Sequence, residues 1–382
     1  MKLFILQENF SKALNVVSRN ISQKSSIPIL SNILLEAKGG NITLSGTNLD
    51  TSIRIVVGAE IQEEGKVCVP AKTFADFINL LPSGRIELKT DNYSLDVTAS
   101  SSTAKFQLSP AEDFPQIPNT TKDLLCSFKP SQFIDAVSKV SYASAKDNLR
   151  PILTGVLIEP GGQLVSFVGA DGNRLSKYSV TSEGEVNFKN SFVIPFGTMD
   201  ELVKIITDRG VEEDTTLEVY SIPNDNQILF RYNGVDFLSR LLEGQYPDYQ
   251  AAVPTKFKFK FSVAKDDFSS AVKIANVFAQ RDGATRIYFN IDLDNKSLTV
   301  DASAQELGSN NSTVDLEVVE GTGAFKTAFN IRYLMDYLNH TSSKTILFSG
   351  FAHVADPDST GAMWYDSDND KFYHMIMPLR VS

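Results

Sequence analysis

Apolar residues recur along this chain in two alternating rhythms. Over Phe10, Ala13, Leu14 and Val17 they fall three and four apart, which places them on one face of a helix. The same spacing returns at Phe133, Val137 and Val140, and again at Phe268, Ala271, Val272 and Ala275. A second set of helices is predicted around Phe74, Phe77 and Ile78, around Met199, Leu202 and Val203, and around Leu334, Tyr337 and Leu338. The first two of these begin behind Pro70 and Pro195, and proline is tolerated where a helix starts. Between the helices the rhythm shortens to two, as in Ile86-Glu87-Leu88-Lys89 and Ser94-Leu95-Asp96-Val97, which predicts half-buried strands.

The order of these elements repeats. Arg150 to Val180 reads as strand, Pro-Gly-Gly turn, strand, Asp-Gly turn, strand. A close relative of that stretch begins at Ile29 and a weaker one at Thr285. Phe10 to Phe133 is 123 residues and Phe133 to Phe268 is 135, the size of whole domains rather than of solenoid repeats. Each unit closes on a similar corner, at Phe114-Pro115, Tyr246-Pro247 and Met377-Pro378. The pattern predicts three α+β domains, at 1–122, 123–253 and 254–382. Each has two helices packed on mostly antiparallel strands, with polar joins at 119–122 and 254–256.

Composition narrows the class. The 382 residues are 42% hydrophobic, enough for real cores, and no apolar run approaches the roughly 20 residues that span a bilayer. The opening MKLFILQENF turns polar too early for a signal peptide. Cys68 and Cys126 lie in apolar strand-like settings, which predicts buried free thiols. Together these features predict a cytoplasmic protein without a membrane partner. The net charge of −10 argues against a generic nucleic-acid binder, so the distribution of charge matters more than its sum.

Catalytic and cofactor constellations are missing from the sequence. No glycine-rich phosphate loop leads into a helix, and Gly169-Ala170-Asp171-Gly172 reads as a tight turn. His340, His353 and His374 lack metal-ligand spacing. Asp366, Asp368 and Asp370 imitate the start of a calcium loop, but Lys371 and Met377 stand where glycine and glutamate are needed, so a polar hairpin is expected. No cofactor, metal or catalytic residue is predicted. The stretch from Asp356 to Asp370, with Trp364, carries no assigned role.

Several motifs, in order over the whole length, resemble one family. They are IPIL, SN and LLE with SGTNLD between Ile27 and Asp50; VPAKTF from Val69; RPILTGVLIE with GADGNRLS; EGQYPDY from Glu243; and MPLR from Met377. With them the chain resembles the bacterial sliding clamps, the beta subunits of DNA polymerase III. The resemblance implies a non-enzymatic, head-to-tail homodimer that forms a six-domain ring around duplex DNA, read without regard to sequence. It implies as partners the DNA polymerase III catalytic subunit, the clamp loader and other proteins with a clamp-binding motif. The runner-up reading is a protein-interaction scaffold that does not load on DNA.

Charge fits the first reading. The six helical regions (7–24, 70–85, 130–150, 195–209, 264–286 and 328–344) hold 16 Lys and Arg against 11 Asp and Glu, and the remainder 20 against 35. Basic charge is thus concentrated where the family lines its channel, although short helices often carry some lysine. The residues expected to face DNA are Lys12, Arg19, Lys24, Lys72, Lys139, Lys146, Arg150, Lys204, Arg209, Lys273, Arg281 and Arg332. Pro195-Phe196-Gly197 and Asp147 depart from the basic residues frequent in relatives, which predicts weaker contact through the second domain.

The resemblance also implies a partner-peptide groove at Leu153, Ala170, Leu175, Pro247, Ala252, Phe351, Met375, Met377, Pro378, Leu379 and Arg380. Methionines there suit ligands of differing shape. Ala251, Ala252 and Ile152 depart from the family pattern, toward a wider slot. The dimer joint is expected at Phe106 and Leu108 of an edge strand, against Val277 and Phe278 of the partner's third domain. The competing reading of Phe106 and Leu108 is that they fill their own domain's core.

Overall fold

The structure is a computed structural model that describes residues 1–21, 26–100, 102–118, 123–222, 226–279, 285–304, 308–350 and 361–380. The first repeat supplies β1 (Lys2–Leu6), α1 (Gln7–Ser18), β2 (Asn32–Lys38), β3 (Asn41–Thr47), β4 (Thr51–Gly58), β5 (Glu60–Glu63), β6 (Gly65–Pro70), α2 (Ala71–Leu80), β7 (Arg85–Thr90), β8 (Ser94–Ala99) and β9 (Ser102–Gln107). The second supplies β10 (Leu124–Phe128), α3 (Pro130–Val140), β11 (Gly155–Gly161), β12 (Leu164–Ala170), β13 (Arg174–Thr181), β14 (Phe192–Pro195), α4 (Phe196–Arg209), β15 (Leu217–Ile222), β16 (Gln227–Tyr232) and β17 (Val235–Arg240). The third supplies β18 (Phe259–Ala264), α5 (Lys265–Ala279), β19 (Arg286–Asp292), β20 (Ser297–Ala304), β21 (Gly308–Asp315), β22 (Glu317–Glu320), β23 (Ala324–Asn330), α6 (Ile331–His340), β24 (Thr345–Gly350), β25 (Ala362–Asp366) and β26 (Asn369–Ile376).

All six helices predicted from spacing form, because each has a continuous apolar face to bury. Phe10, Ala13, Leu14 and Val17 of α1 are buried, as are Phe268, Ala271, Val272 and Ala275 of α5. Helix α2 starts directly behind Pro70, whose φ of −60° suits the entry to a helix. Helix α6 has no proline; the Asn330 side chain accepts the Arg332 amide at 3.0 Å and satisfies one of the donors a helix start leaves unpaired.

Among the described residues the strands form four antiparallel sheets. Their orders are β5-β1-β7-β8-β9; β10-β15-β16-β17-β4-β3-β2-β6; β14-β11-β12-β13-β26-β25-β24-β18-β22; and β21-β20-β19-β23. Two of the sheets cross from one repeat to the next. Strand β17 pairs with β4, with Phe237 opposite Ile53, and β13 pairs with β26, with Leu175 opposite Met375.

Packing divides the chain differently from its repeats. One compact unit is Met1–Ser131 with Glu183–Phe188 and Glu201–Leu241, and it holds the five- and eight-stranded sheets. The other is Gln132–Ser182 with Lys189–Asp200 and Leu242–Ser382, and it holds the nine- and four-stranded sheets.

In the first unit Phe74 stacks edge-on against Phe10 and Phe106, with centroids 5.7 and 5.1 Å apart. The second unit is built around fully buried Trp364, ringed by Phe268, Phe348 and Phe329. Its GADG turn is explained by two contacts. A Cβ on Gly169 would stand 2.2 Å from the Val140 carbonyl oxygen, so only glycine lets β12 pass the end of α3. Asp171 then accepts the amides of Asn173 and Arg174 at 2.8 and 3.0 Å, across Gly172 at a φ of +91°.

Cys68 and Cys126 are buried free thiols, and burial pushes both up to about 12. The Asp366 to Asp370 stretch is a hairpin, with Asp366 opposite Asn369. Asp366 is buried and accepts hydrogen bonds from the hydroxyls of Tyr337 and Thr341. Among the described residues no group of three or more His, Cys, Asp or Glu could hold a metal, and no helix is long and apolar enough to cross a membrane.

Candidate nucleic-acid and partner interfaces

The predicted DNA-facing residues separate into three kinds. Lys12 on α1, Lys273 on α5 and Arg332 in the first turn of α6 are exposed, and so is Lys72 in the first turn of α2. Lys146 and Arg150 are exposed on the segment before β11. That segment also exposes 87% of Leu149, and Asp147 is used there as a turn residue, accepting the Leu149 amide at 3.0 Å. Lys273 lines a hollow of about 440 Å³ between α5 and α6, together with Lys265 and Asn339.

A second kind is tied down. Arg19, just past α1, is hydrogen-bonded to Asp208 and lies 3.6 Å from Glu201, both on α4. Lys204 meets the same Glu201 at 3.3 Å. Arg209 is half-buried and donates to the Asn233 carbonyl at 2.9 Å. The carboxylates on α4 offset part of the charge of Arg19 and Lys204, while Arg209 keeps its own.

Lys139 is a correction. It is only 2% exposed, with its ammonium 2.9 Å from Asp135 and 4.4 Å from the centre of the Tyr178 ring. Its stem follows the buried side of α3 and its charge is satisfied inside, so it does not face DNA. Lys24 and Arg281 lie outside the described residues.

The groove residues come together across the pairing of β13 with β26. Leu153, Ala170, Leu175 and Met375 belong to one apolar cluster, with Met377, Ile152, Tyr246 and Val253 packed on it. Pro247 and Ala252 are exposed on the segment that crosses this cluster, where Gln250–Ala252 forms a single 3-10 turn. Tyr249 anchors that segment from below by donating its hydroxyl to Glu159. The Leu379 amide is bonded to the Ala328 carbonyl at 2.7 Å. Pro378 is half-buried beside it, Arg380 is exposed, and Phe351 lies outside the described residues.

At the expected dimer face one residue needs correcting, Phe106. Strand β9 is an edge, as predicted, but Phe106 is buried in its own core between Phe74 and Phe77. Leu108 is half-buried and its amide bonds to the Tyr93 carbonyl at 3.0 Å. On α5, Val277 is 57% exposed and Ile274 45%, while Phe278 leans on the third repeat's core.

One cluster escaped the sequence reading. Arg174 is buried, and its guanidinium reaches Asp171 at 3.0 Å, Asp336 of α6 and the Tyr142 carbonyl. Beside it the Ser176 hydroxyl bridges Tyr142 at 2.9 Å and His374 at 2.6 Å, and His340 stacks on Tyr142. The Asp171 to Arg174 spacing inside GADGNRLS was the available signal.

Three-fold repetition, sheets shared between repeats and an apolar slot over a strand pair make this the architecture of the sliding clamps. Solved clamps from Pseudomonas aeruginosa align over 100% of both chains with a TM-score of 0.89 at 24% identity. A DNA polymerase III beta chain from Streptococcus pneumoniae aligns over 100% of both chains with a TM-score of 0.89 at 24% identity. A Staphylococcus epidermidis protein named beta sliding clamp is 28% identical over 100% of both chains. One from Staphylococcus aureus is 30% identical over 88% of this chain and 89% of its own. Residues 1–118, 127–248 and 250–380 match the N-terminal, central and C-terminal domains described for the DNA polymerase III beta subunit. The chain belongs to the DNA polymerase III beta subunit family. Its function is that of a processivity clamp, a subunit without catalysis of its own.

Proposed function

We propose that two copies of this chain join head to tail into a ring of six domains, bounded at 1–122, 123–253 and 254–382 in each copy. The ring closes around duplex DNA in the cytoplasm. One observation carries the proposal. Inside the chain, the sheet β2-β3-β4 of the first repeat meets the second through β4 and β17, and β11-β12-β13 of the second meets the third through β13 and β26. Among the described residues the corresponding strand of the third repeat, β21, is an unpaired edge, and so is β9 of the first. A third joint of the same kind, β21 of one copy to β9 of the next, uses both edges twice and closes a two-fold ring. Ile274 and Val277 on α5, which packs against β21, supply apolar surface beside that joint.

The exposed basic residues Lys12, Lys72, Lys146, Arg150, Lys273 and Arg332 then face the phosphates, attracting DNA without reading its bases. The slot around Leu175, Met375 and Met377 takes an apolar peptide from the polymerase III catalytic subunit, the clamp loader and other partners. The test is retention on nicked circular DNA. The protein is expected to stay on the circle and run off after linearisation, and to scatter light as a dimer. Loss from intact circles at the same rate as from linear DNA would sink the ring.

A further inference from the structure

The segment that crosses the groove cluster is tied by its backbone at both ends. The Leu242 amide bonds to the Val193 carbonyl at 2.9 Å, and the Lys258 amide to the Gly350 carbonyl at 3.0 Å. Between these ties, Ala252 and Val253 give their amides to the carbonyls of Tyr249 and Gln250, at 3.0 and 3.2 Å, so that stretch bonds to itself. Side chains then decide where it lies. Tyr246, Tyr249, Val253 and Phe257 pack on the cluster, while Pro247, Ala251 and Ala252 stay exposed.

Tyr249 does more than pack. It is only 5% exposed, and its hydroxyl donates to Oε2 of Glu159 at 2.5 Å. Glu159 stands on β11 two residues beyond Leu157, a member of the same cluster, so the two share one face of the sheet. Lys177 of β13 sets its ammonium 5.7 Å from the centre of the Tyr249 ring. Burial, then Glu159, pushes the Tyr249 hydroxyl up, so it is a donor at neutral pH.

Ala251 and Ala252 carry nothing beyond Cβ. The position of that wall is therefore set by the backbone, and so by whatever fixes the backbone. The 3-10 turn Gln250–Ala252 follows Tyr249 directly and closes on its carbonyl. Pinning Tyr249 thus pins Ala252, and with it Pro247 two residues before.

We propose that Tyr249, held by Glu159, is a positioning residue of the groove: buried beneath the segment, it fixes the wall at Pro247 and Ala252 against which the peptide packs. The proposal rests on the groove reading above. A wall fixed in advance spares the peptide the cost of ordering it. Cutting the tie leaves the lining side chains unchanged and lets the wall move.

The experiment uses full-length protein and a fluorescent peptide carrying the clamp-binding segment of the same organism's polymerase III catalytic subunit. Tyr249→Phe and Glu159→Ala are each expected to bind it about 3- to 10-fold more weakly. The double variant is expected to bind no worse than either, because both changes cut one tie. Glu159→Gln, whose amide oxygen still accepts the hydroxyl, is expected to bind like the unaltered protein. Hydrogen exchange at the Ala252 and Val253 amides is expected to quicken with the loss of affinity, while slow amides of β13 and β26 and the melting temperature hold. Unaltered affinity in both single variants, or losses that add in the double variant, overturns the proposal and leaves the groove standing. So does weaker binding that comes with faster exchange throughout and a lower melting temperature in both single variants, since Tyr249 would then serve the core alone. Failure of the unaltered protein to bind the peptide overturns the groove reading and this proposal with it.

Discussion

Nδ1 of His374 lies 2.6 Å from the hydroxyl oxygen of Ser176, in a pocket from which both residues are fully excluded from water. The ring also stacks on Tyr337 with centroids 5.4 Å apart. Burial, then Arg174 and His340 nearby, hold the imidazole well below its usual range, so it is neutral in the folded chain. Below about pH 6.5 an unfolded chain takes up a proton at this position and the folded chain does not. Stability contributed here is therefore lost as pH falls, by about 1.4 kcal/mol per pH unit at most. Denaturant midpoints measured from pH 7.5 to 5.0 are expected to decline, and to decline less in His374→Gln. An equal slope in both proteins would mean that other groups carry the acid sensitivity.

Lys139 and Lys273 are predicted to part company. Lys139→Ala removes a part-buried ion pair and a ring contact, and is expected to cost about 1–3 kcal/mol of unfolding free energy without changing the salt dependence of DNA retention. Lys273→Ala is expected to do the reverse: little change in stability and a salt slope smaller by about 0.9. Chemical denaturation and retention on circular DNA across a salt series measure the two effects separately.

At the groove, Met377→Ala with Ala252→Glu is expected to weaken polymerase-peptide binding at least about tenfold, since one change removes an anchor contact and the other sets a charge on an exposed wall. Calorimetry reads the loss. Unaltered circular dichroism and melting temperature would attribute it to the slot rather than to unfolding.

The joint between copies gives a paired prediction. Ile274→Asp with Val277→Asp places charge on an exposed helix face, and is expected to yield a folded monomer that still binds peptide. Phe106→Asp buries a charge between Phe74 and Phe77, and is expected to unfold the first repeat at a cost of several kcal/mol. Light scattering combined with thermal melts separates dissociation from unfolding. A dimeric double variant of α5 would move the joint elsewhere.

Local rhythm made much of this fold legible. The six helices announced themselves because each buries one stripe, and the family resemblance placed β9 at an edge. What spacing could not reveal is what covers a helix from afar. Lys139 follows Ala136 by three residues and so shares its buried flank, yet a helical lysine reads as exposed until Tyr178 and Phe372 are seen above it. Those rings arrive through the pairing of β13 with β26, which joins residues almost 200 apart in sequence. The groove has the same origin. Leu153, Leu175 and Met375 are ordinary core residues taken singly, and only that long-range pairing makes them a slot, so the family resemblance was needed to name them. Phe106 failed for a simpler reason: two-residue alternation gives a strand two faces and does not say which one is inward.

The shared sheets separate inheritance from folding. The segment copied three times along the chain is continuous in sequence, but the pieces that pack as units are stitched from distant stretches. A fragment cut at the end of the first repeat would carry β4 with its edge bare, its amides and carbonyls stripped of the β17 partners from Val235 to Ser239. Such an edge is an invitation to pair with any passing strand. Single repeats of this chain are therefore expected to be insoluble as isolated fragments, even though each looks like a complete domain on paper.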